Sequence, residues 1–161
     1  MRLAEYTDYT LRVLMYCAAN PDRLITIAEI AEVHGLSKNH LMKIVSDLAR
    51  QRLVETTRGR GGGIRLIKPP SKIRIGDVVR ASETDFRLVE CFDPDTDTCS
   101  ISASCRTKGL FGRALAAYFR ELDSATLEDM VAPPPRRGSV IPIRAALAVA
   151  PAAAKSTRAR T

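Results

Sequence analysis

The sequence predicts a mainly α-helical fold with one small β-hairpin wing: a winged helix-turn-helix domain followed by a long helix suited to dimerisation. Three observations predict this fold. Two amphipathic helix patterns are joined by a short turn that contains glycine, a Gly-rich hairpin pattern follows them directly, and a longer apolar helix pattern comes later in the chain.

The first helix is predicted over residues 7–20 because apolar side chains recur there at three- and four-residue spacing. These side chains are Leu11, Leu14, Met15 and Ala18. Cys17 falls inside the same pattern, which is typical of a small buried hydrophobic residue. Asp8 lies in the first turn, where the positive end of the helix dipole favours a carboxylate.

The next two helices are predicted to form the helix-turn-helix. Thr26 and Glu29 predict a capping box at the start of the second helix, and Gly35 predicts its end. The inward side chains of this helix are predicted to be Ile27, Ile30, Ala31 and Val33. Ser37 is predicted to cap a third helix that runs to Gln51. Its inner face is predicted to be Leu41, Ile44, Val45 and Leu48.

The outward face of the third helix is a candidate DNA-reading surface, although a solvated polar face would have the same composition. Asparagine can pair with adenine, and lysine with guanine or phosphate. The downstream sequence favours DNA, because strand patterns at 53–58 and 64–67 flank a Gly-rich turn at 59–63, which predicts a basic wing. The predicted contacts are Ser37, Lys38, Asn39, His40 and Lys43 on the helix, with Arg58 and Arg60 near the wing tip.

Three further helices are predicted after the wing. A short one begins at Ile75, a long one covers 104–123, and a last short one begins at Thr126 with Asp129 three residues later. The long helix has two adjoining apolar stripes, so we expect one of them to join a second copy of the chain in a two-fold dimer. The stripes comprise Leu110, Phe111, Ala114, Leu115, Ala117, Tyr118, Phe119 and Leu122.

Charge divides the chain into three parts. Residues 1–80 have a net charge of +6, residues 81–131 of −5, and residues 132–161 of +6. The basic first part favours a nucleic-acid partner. The last part contains no acids and almost no large side chains beyond Ile and Leu, so it is predicted to be a disordered basic tail. The chain shows no apolar run of eighteen residues and no signal peptide, which predicts a cytoplasmic protein without a membrane partner.

The acidic middle part contains a cysteine cluster. Cys91, Cys99 and Cys105 form a C-x7-C-x5-C pattern in a segment rich in Asp, Ser and Thr. Disulfides are disfavoured by the odd local count and the expected reducing compartment, and zinc by the lack of CxxC pairs or a nearby His. An iron–sulfur cluster tolerates irregular spacing and a fourth ligand other than Cys. The spacing alone places the cluster only modestly ahead of structural zinc.

The chain resembles the NsrR-type nitric-oxide-sensing repressors, a family of winged-helix regulators that carry iron–sulfur clusters. The resemblance covers about residues 1–131 and rests on the opening MRL and YTDYTLR, the GLSKNHL turn, the RGRGGG wing, IRIGDVVR and the three cysteines. It implies a homodimer that binds a double-stranded DNA operator with an inverted repeat. It also implies one 4Fe–4S cluster per subunit, with 2Fe–2S as the alternative form. The implied ligands are Cys91, Cys99 and Cys105, with Asp8 supplied by the other subunit, and nitric oxide then lowers operator affinity.

On this interpretation, residues 1–80 form the DNA-binding domain and residues 81–131 the cluster-binding loop and dimerisation helix. Two other functions stay open: an iron-responsive repressor of the rhizobial type, which has a similar cysteine spacing, and a constitutive winged-helix DNA binder with structural zinc. A cluster-assembly regulator is disfavoured because Lys108 stands where that sibling has a His ligand. An electron carrier would not need a winged helix. An enzyme is disfavoured because no catalytic triad, phosphate loop or paired carboxylate cleft is indicated.

Overall fold

The structure, a computed structural model, describes residues 2–133. Within that range the chain forms six α-helices and one antiparallel hairpin. These elements are α1 (Glu5–Ala18), α2 (Ile27–His34), α3 (Lys38–Arg50), β1 (Val54–Thr57), β2 (Gly63–Leu66), α4 (Ile75–Ser82), α5 (Arg106–Ser124) and α6 (Leu127–Val131). The predicted fold class is therefore confirmed. Of the predicted basic tail, residues 134–161 lie outside the described residues. Between residues 2 and 133, no helix has the length and apolar character that crossing a membrane requires.

Helix α1 buries two of its four predicted inward residues, Leu14 and Ala18, on a stripe shifted towards Val13 and Cys17. The buried apolar side chains are Val13, Leu14, Cys17 and Ala18. Leu11 and Met15, which were predicted to be inward, are only partly buried against the core. The prediction for Cys17 is confirmed, since its side chain is 3% exposed and burial raises the pKa of its thiol to about 12. This cysteine is a packing residue.

Helices α2 and α3 form the predicted helix-turn-helix, with a correction at the first cap. Gly35 ends α2 in the left-handed region with φ of 64°, which glycine adopts without strain. The Glu29 N–H donates to Thr26 Oγ1 at 3.1 Å, as a capping box requires. The reciprocal half is wrong, because the Glu29 carboxylate instead accepts hydrogen bonds from Tyr16 at 2.8 Å and Arg23 at 2.9 Å.

The inner face of α3 is confirmed, since Leu41, Ile44, Val45 and Leu48 are all buried. Ser37 stands at its N-cap position, but its side chain makes no capping hydrogen bond. The prediction that Val33 faces inward is wrong. Its side chain is 56% exposed because it lies about 120° around α2 from the centre of the buried stripe.

Strands β1 and β2 form the wing in the predicted place. Val54 pairs with Leu66 at the base and Thr57 with Gly63 at the far end. Gly63 must be a glycine, because a Cβ there would lie 2.7 Å from the carbonyl oxygen of Ile25, which bridges to this hairpin. The wing is thereby attached to the segment that leads into α2.

The apolar core lies within the winged-helix part of the chain. Its buried hydrophobic residues fall between Val13 and Val79, and Leu127 of α6 is the one described exception. Helix α6 begins with the predicted cap at Thr126, and the Leu127 N–H donates to the Ile73 carbonyl at 2.8 Å. The chain thus returns to the first domain after α5.

Helix α5 has no buried residue along its nineteen residues. It begins at Arg106, two residues later than predicted. Its second half packs on α4, where the Phe119 ring lies 4.3 Å from the Arg80 guanidinium and Arg80 forms two hydrogen bonds, of 2.6 and 2.7 Å, to Asp123. In its first half, Leu110 is 56% exposed and Phe111 is 36% exposed. This half presents an apolar surface that the described residues of its own chain leave uncovered.

Candidate cluster-binding and DNA-binding sites

The three clustered cysteines lie on the irregular segment that leads into α5. Cys91 is in a single 3-10 turn and Cys99 is in a stretch without regular structure. Cys105 is the N-cap residue of α5, and its Sγ accepts a hydrogen bond from the Lys108 N–H at 3.4 Å. All three thiols are free, and each is at least partly accessible to solvent. They are therefore available as ligands, unlike the buried thiol in α1.

A carboxylate ties the beginning of this loop to its middle. Glu90 Oε1 accepts hydrogen bonds from the Thr98 hydroxyl at 2.8 Å and from the Thr98 N–H at 3.4 Å. Glu90 directly precedes Cys91, and Thr98 directly precedes Cys99. The two cysteines are consequently held by neighbours that are bonded to each other.

A second carboxylate ties the middle of the loop to α5. Asp97 Oδ1 accepts from the Cys99 N–H at 3.1 Å, and Oδ2 accepts from the Ser102 hydroxyl and from Lys108 Nζ at 3.3 Å. Lys108 Nζ also donates to Ser102 Oγ at 2.7 Å. The bond from Ser102, with a smaller contribution from Lys108, holds the pKa of Asp97 below its ordinary value. This network runs from the backbone of Cys99 to the helical turn that Cys105 caps.

Polar contacts take the place of an apolar core in this segment. Among the described residues, none between Val79 and Leu127 belongs to the buried hydrophobic set. Arg87 instead pairs with Asp85 at 2.9 Å and with Asp93. Exposed ion pairs of this kind each contribute little to stability, because water solvates the charges in the unpaired state as well. The polar contacts of the loop therefore stabilise it only weakly.

The donor set fits an iron–sulfur cluster by its chemistry. Three free thiols on one loop are the ligands that such clusters use, and clusters accept a fourth ligand of another type. Across residues 2–133, no three His, Cys, Asp or Glu side chains come close enough to hold a single metal ion. The hydrogen bonds therefore bring the neighbours of the cysteines together, but the thiols do not meet at one point.

Asp8 forms its side-chain hydrogen bond within α1 and not with the cysteine loop. It is in the first turn of α1, as predicted, and its Oδ2 accepts from Arg12 Nη2 at 2.7 Å, one turn later. Its side chain is 48% exposed. This carboxylate is thus accessible from solvent and is held by a cation on the same helix.

The predicted DNA-contacting side chains of α3 form one outward surface. Ser37, Lys38, Asn39, His40 and Lys43 are all exposed. Asp47, near the end of this surface, is only partly exposed because its carboxylate accepts a hydrogen bond from the Tyr6 hydroxyl and pairs with Arg50. The helix therefore presents mainly polar and basic groups to solvent.

The wing places two arginines at its tip. Arg58 and Arg60 are exposed, and Gly59 and Gly61 beside them have φ of 95° and 77°. These positive φ values let the chain reverse between β1 and β2. Arginine on a thin hairpin is suited to the minor groove, where the potential is strongly negative.

Sequence reasoning missed two contacts of the site. It gave no role to Tyr6 of α1, whose hydroxyl bonds to Asp47 of α3. It also treated Lys108 only as a departure from a related family, whereas this side chain bonds to Asp97 and Ser102. Both contacts depend on how separate segments meet, so no local spacing signals them.

Comparison with known proteins gives a family match over residues 3–133, to Rrf2, described as an iron-dependent transcriptional regulator. The chain is 52% identical over 132 residues to the HTH-type transcriptional regulator NsrR of Bacillus subtilis, covering 81% of this chain and 90% of that protein. It is 46% identical over 132 residues to NsrR of Halalkalibacterium halodurans, with 81% and 90% covered.

Solved structures of similar fold come from transcriptional regulators. The structure of CymR, the global cysteine regulator of B. subtilis, has a TM-score of 0.67 at 25% identity, covering 81% of this chain and 96% of that one. The structure of T. potens IscR has a TM-score of 0.64 at 25% identity, covering 81% and 86%.

Proposed function

The chain belongs to the Rrf2 family of transcriptional regulators, and from that premise we propose that it is a repressor whose operator affinity is controlled by a 4Fe–4S cluster that reacts with nitric oxide. One observation carries the proposal. Three free and accessible thiols lie on a polar loop without a core of its own, beside a complete winged helix. The NsrR relatives and the loop chemistry support the same function. The protein is a regulator and not an enzyme.

We assign Cys91, Cys99 and Cys105 as three cluster ligands, with Asp8 of the other subunit as the fourth. When bound, the cluster supplies iron atoms at which nitric oxide reacts and displaces protein ligands. The supply of Asp8 in trans is the arrangement that the family resemblance implies, and among the described residues Asp8 pairs with Arg12 and belongs to no metal-binding group with the cysteines of its own chain.

A homodimer through α5 accounts for the uncovered surface of that helix. Leu110 and Phe111 project from the half that does not pack on α4. In a two-fold dimer, this surface of one subunit contacts the same surface of the other subunit, and the two α3 helices face the DNA together. Recognition helices separated by about 34 Å would fit successive major grooves, which requires an inverted-repeat operator.

The residues couple ligand binding to DNA binding through α1. While Asp8 is held by the cysteine loop across the dimer, the first turn of α1 is fixed relative to the other subunit. When Asp8 is released, it returns to its pairing with Arg12, which the isolated chain already forms at 2.7 Å. The states with Asp8 bound across the dimer and with Asp8 released differ in the contacts of this turn. Nitric oxide can therefore shift the balance between these two states.

Anaerobic purification tests the proposal directly. We expect brown protein with about four iron and four sulfide per chain. Genomic fragments selected by this protein should contain an inverted repeat, and nitric oxide should weaken binding to them. Colourless protein with stoichiometric zinc and no sulfide would instead support the constitutive zinc-containing DNA binder.

A mixed dimer tests the source of the fourth ligand. One chain carries Asp8→Ala with intact cysteines, and the other keeps Asp8 but has all three clustered cysteines changed to Ser. Only ligation in trans gives this dimer one complete site, with half the wild-type absorbance and a normal nitric oxide response. A dimer that behaves like the Asp8→Ala homodimer would contradict ligation in trans.

The cysteine spacing favours a second candidate, an iron-responsive repressor that uses the same loop. The x7 and x5 spacing of the three cysteines is its supporting observation. Operator affinity measured during titration with nitric oxide, and separately with an iron chelator, distinguishes the two functions. If nitric oxide leaves operator affinity unchanged while iron chelation lowers it, the iron-responsive function replaces the first proposal.

A further inference from the structure

The first turn of α1 is attached to two other helices by side-chain hydrogen bonds. The Tyr6 hydroxyl donates to Asp47 Oδ2 of α3. The Thr7 hydroxyl and the Ala4 N–H both donate to Glu83 Oε2, directly after α4, at 3.0 and 2.9 Å. One turn therefore contacts the end of the recognition helix and the segment that leads towards the cysteine loop.

These bonds matter because the apolar contacts of the turn with the core are only partly buried, through Tyr6 and the nearby Leu3 and Tyr9. The first fully buried apolar side chains of α1 are Val13 and Leu14, about two helical turns after Tyr6. Among the described residues of the first turn, the buried one is Thr7, a polar residue with 0% exposure. Directional hydrogen bonds therefore position the turn together with the partial burial of Tyr6, and a small movement can break these bonds.

The bond between Tyr6 and Asp47 is the one that reaches the DNA surface. Asp47 lies one turn after Lys43 and borders the same shallow groove as Asn39, Met42 and Ser46. Burial, followed by the bond to Asp47, raises the pKa of Tyr6 to about 12, so the phenol stays a hydrogen-bond donor at neutral pH. The Tyr6 bond, together with Arg50, holds the pKa of Asp47 below its ordinary value, so the acceptor stays charged.

We propose that the Tyr6–Asp47 hydrogen bond is a positioning contact that transmits the state of the α1 first turn to recognition helix α3. This inference rests on the proposed function, because Asp8 lies two residues after Tyr6 in the same turn. A shift of that turn on release of Asp8 moves the Tyr6 hydroxyl, and the carboxylate bonded to it moves α3. Tyr6 is a positioning residue and contacts neither the DNA nor the cluster.

The measured quantity is the ratio of operator affinities of cluster-bound and cluster-free protein, in the full-length dimer. Tyr6→Phe removes the hydroxyl and keeps the ring. We expect normal cluster absorbance but an affinity ratio reduced roughly threefold to tenfold, the range of the net contribution of one typical hydrogen bond. Tyr16→Phe is the matched control. It removes an equivalent hydroxyl-to-carboxylate bond from the same helix, to Glu29 at 2.8 Å, far from Asp8.

A double-mutant cycle makes the test specific to the pair. Asp47→Ala changes the charge beside the DNA and so changes both affinities, but their ratio isolates the coupling. In the variant with both changes, the ratio should fall no further than in Tyr6→Phe alone. A Tyr6→Phe ratio equal to wild type, an equal loss in Tyr16→Phe, or additive losses in the cycle would each overturn the inference. A wild-type ratio near one would overturn the proposed function, and the inference with it.

Discussion

The winged-helix part and the cysteine segment are held together by different forces. The first buries a set of aliphatic side chains from α1 to α4, closed by Leu127 from α6. The second, from residue 83 to the end of α5, contributes no buried hydrophobic side chain among the described residues. It is organised by Glu90, Asp97 and Arg87 through hydrogen bonds and ion pairs.

This difference indicates which part needs an additional component. Burial of apolar surface stabilises the winged helix from within, whereas exposed polar bonds add little net free energy. The cysteine segment therefore depends on something outside its own side chains, and we propose a cluster and a second subunit. A regulator gains from this arrangement, because the less stable part can respond while the DNA-binding part stays folded.

The largest effect expected is loss of the cluster. Replacing Cys91, Cys99 or Cys105 by Ala should abolish the visible absorption and the bound sulfide, because each change removes a proposed ligand. Cys17→Ala should keep both, since this thiol is buried in the core of the other part. Iron and sulfide analysis of the four proteins makes the comparison. If the Cys17 variant alone lost the cluster, the assignment of Cys91, Cys99 and Cys105 as the ligands would be wrong.

The next effect separates the two parts by stability. Leu48→Ala in the core should lower the free energy of unfolding by about 2–5 kcal/mol, because it leaves a cavity. Leu110→Ala, at a side chain that is 56% exposed, should cost the monomer less than about 0.5 kcal/mol but weaken the dimer. Urea unfolding at low concentration and sedimentation measure the two quantities. A destabilised Leu110→Ala monomer would show that the first half of α5 also packs within its own chain.

The sequence predicted the winged-helix part better than the cysteine segment for a physical reason. The inner face of α3 and the cap at Thr126 follow from local periodicity and spacing, and the structure confirms both. Glu29 fulfilled only half of its predicted capping box because Arg23 and Tyr16, which lie outside that helix, compete for its carboxylate. Likewise, Thr7 is buried beneath Glu83, which is 76 residues away.

The candidate site was likewise only partly predictable from local sequence patterns. The cysteines could be singled out from residue type and clustering, and their roles as ligands stay predictions. The network of Asp97, Ser102 and Lys108 could not be predicted, because it depends on the path of an irregular loop. Local signals thus find reactive groups, whereas the contacts that orient them appear only after folding.

A third comparison concerns DNA binding, which we expect to depend on the winged-helix part. Arg60→Ala should weaken operator binding and reduce the slope of log affinity against log salt by up to about one unit, because one phosphate-neutralising charge is lost. Arg113→Ala removes an exposed arginine from α5 and should leave the slope unchanged. Asn39→Ala should relax sequence preference instead. Identical salt slopes for the Arg60 and Arg113 variants would contradict contact by the wing.

A smaller effect is expected from Lys108, whose ammonium bonds to Asp97 and Ser102. Lys108→Met keeps the alkyl chain and removes these bonds, so the cluster should be lost in air about twofold to fivefold faster, as for one partly screened ion pair. Arg113→Met removes the same charge from the same helix at an exposed position. Decay of the visible absorption compares the two variants. Equal decay rates in the two variants would mean that the faster loss of the cluster results from the lost charge and not from the bonds of Lys108.

The smallest effect is a pH dependence that should belong to the winged-helix part. Bonds from Arg23 first, and from Tyr16 second, lower the pKa of Glu29 from 4.5 to about 2. Folding therefore favours the charged form, and this contribution is present above pH 4.5 and is lost as pH falls towards 2. The urea midpoint of wild type should exceed that of Glu29→Gln at pH 6, and the difference should shrink by pH 3.

Asp97 also has a lowered pKa, but Asp97→Asn should leave the midpoint unchanged at both pH values, because its bonds hold a loop outside the core. A pH-dependent midpoint difference in the Asp97 variant would mean that the cysteine segment unfolds together with the DNA-binding part.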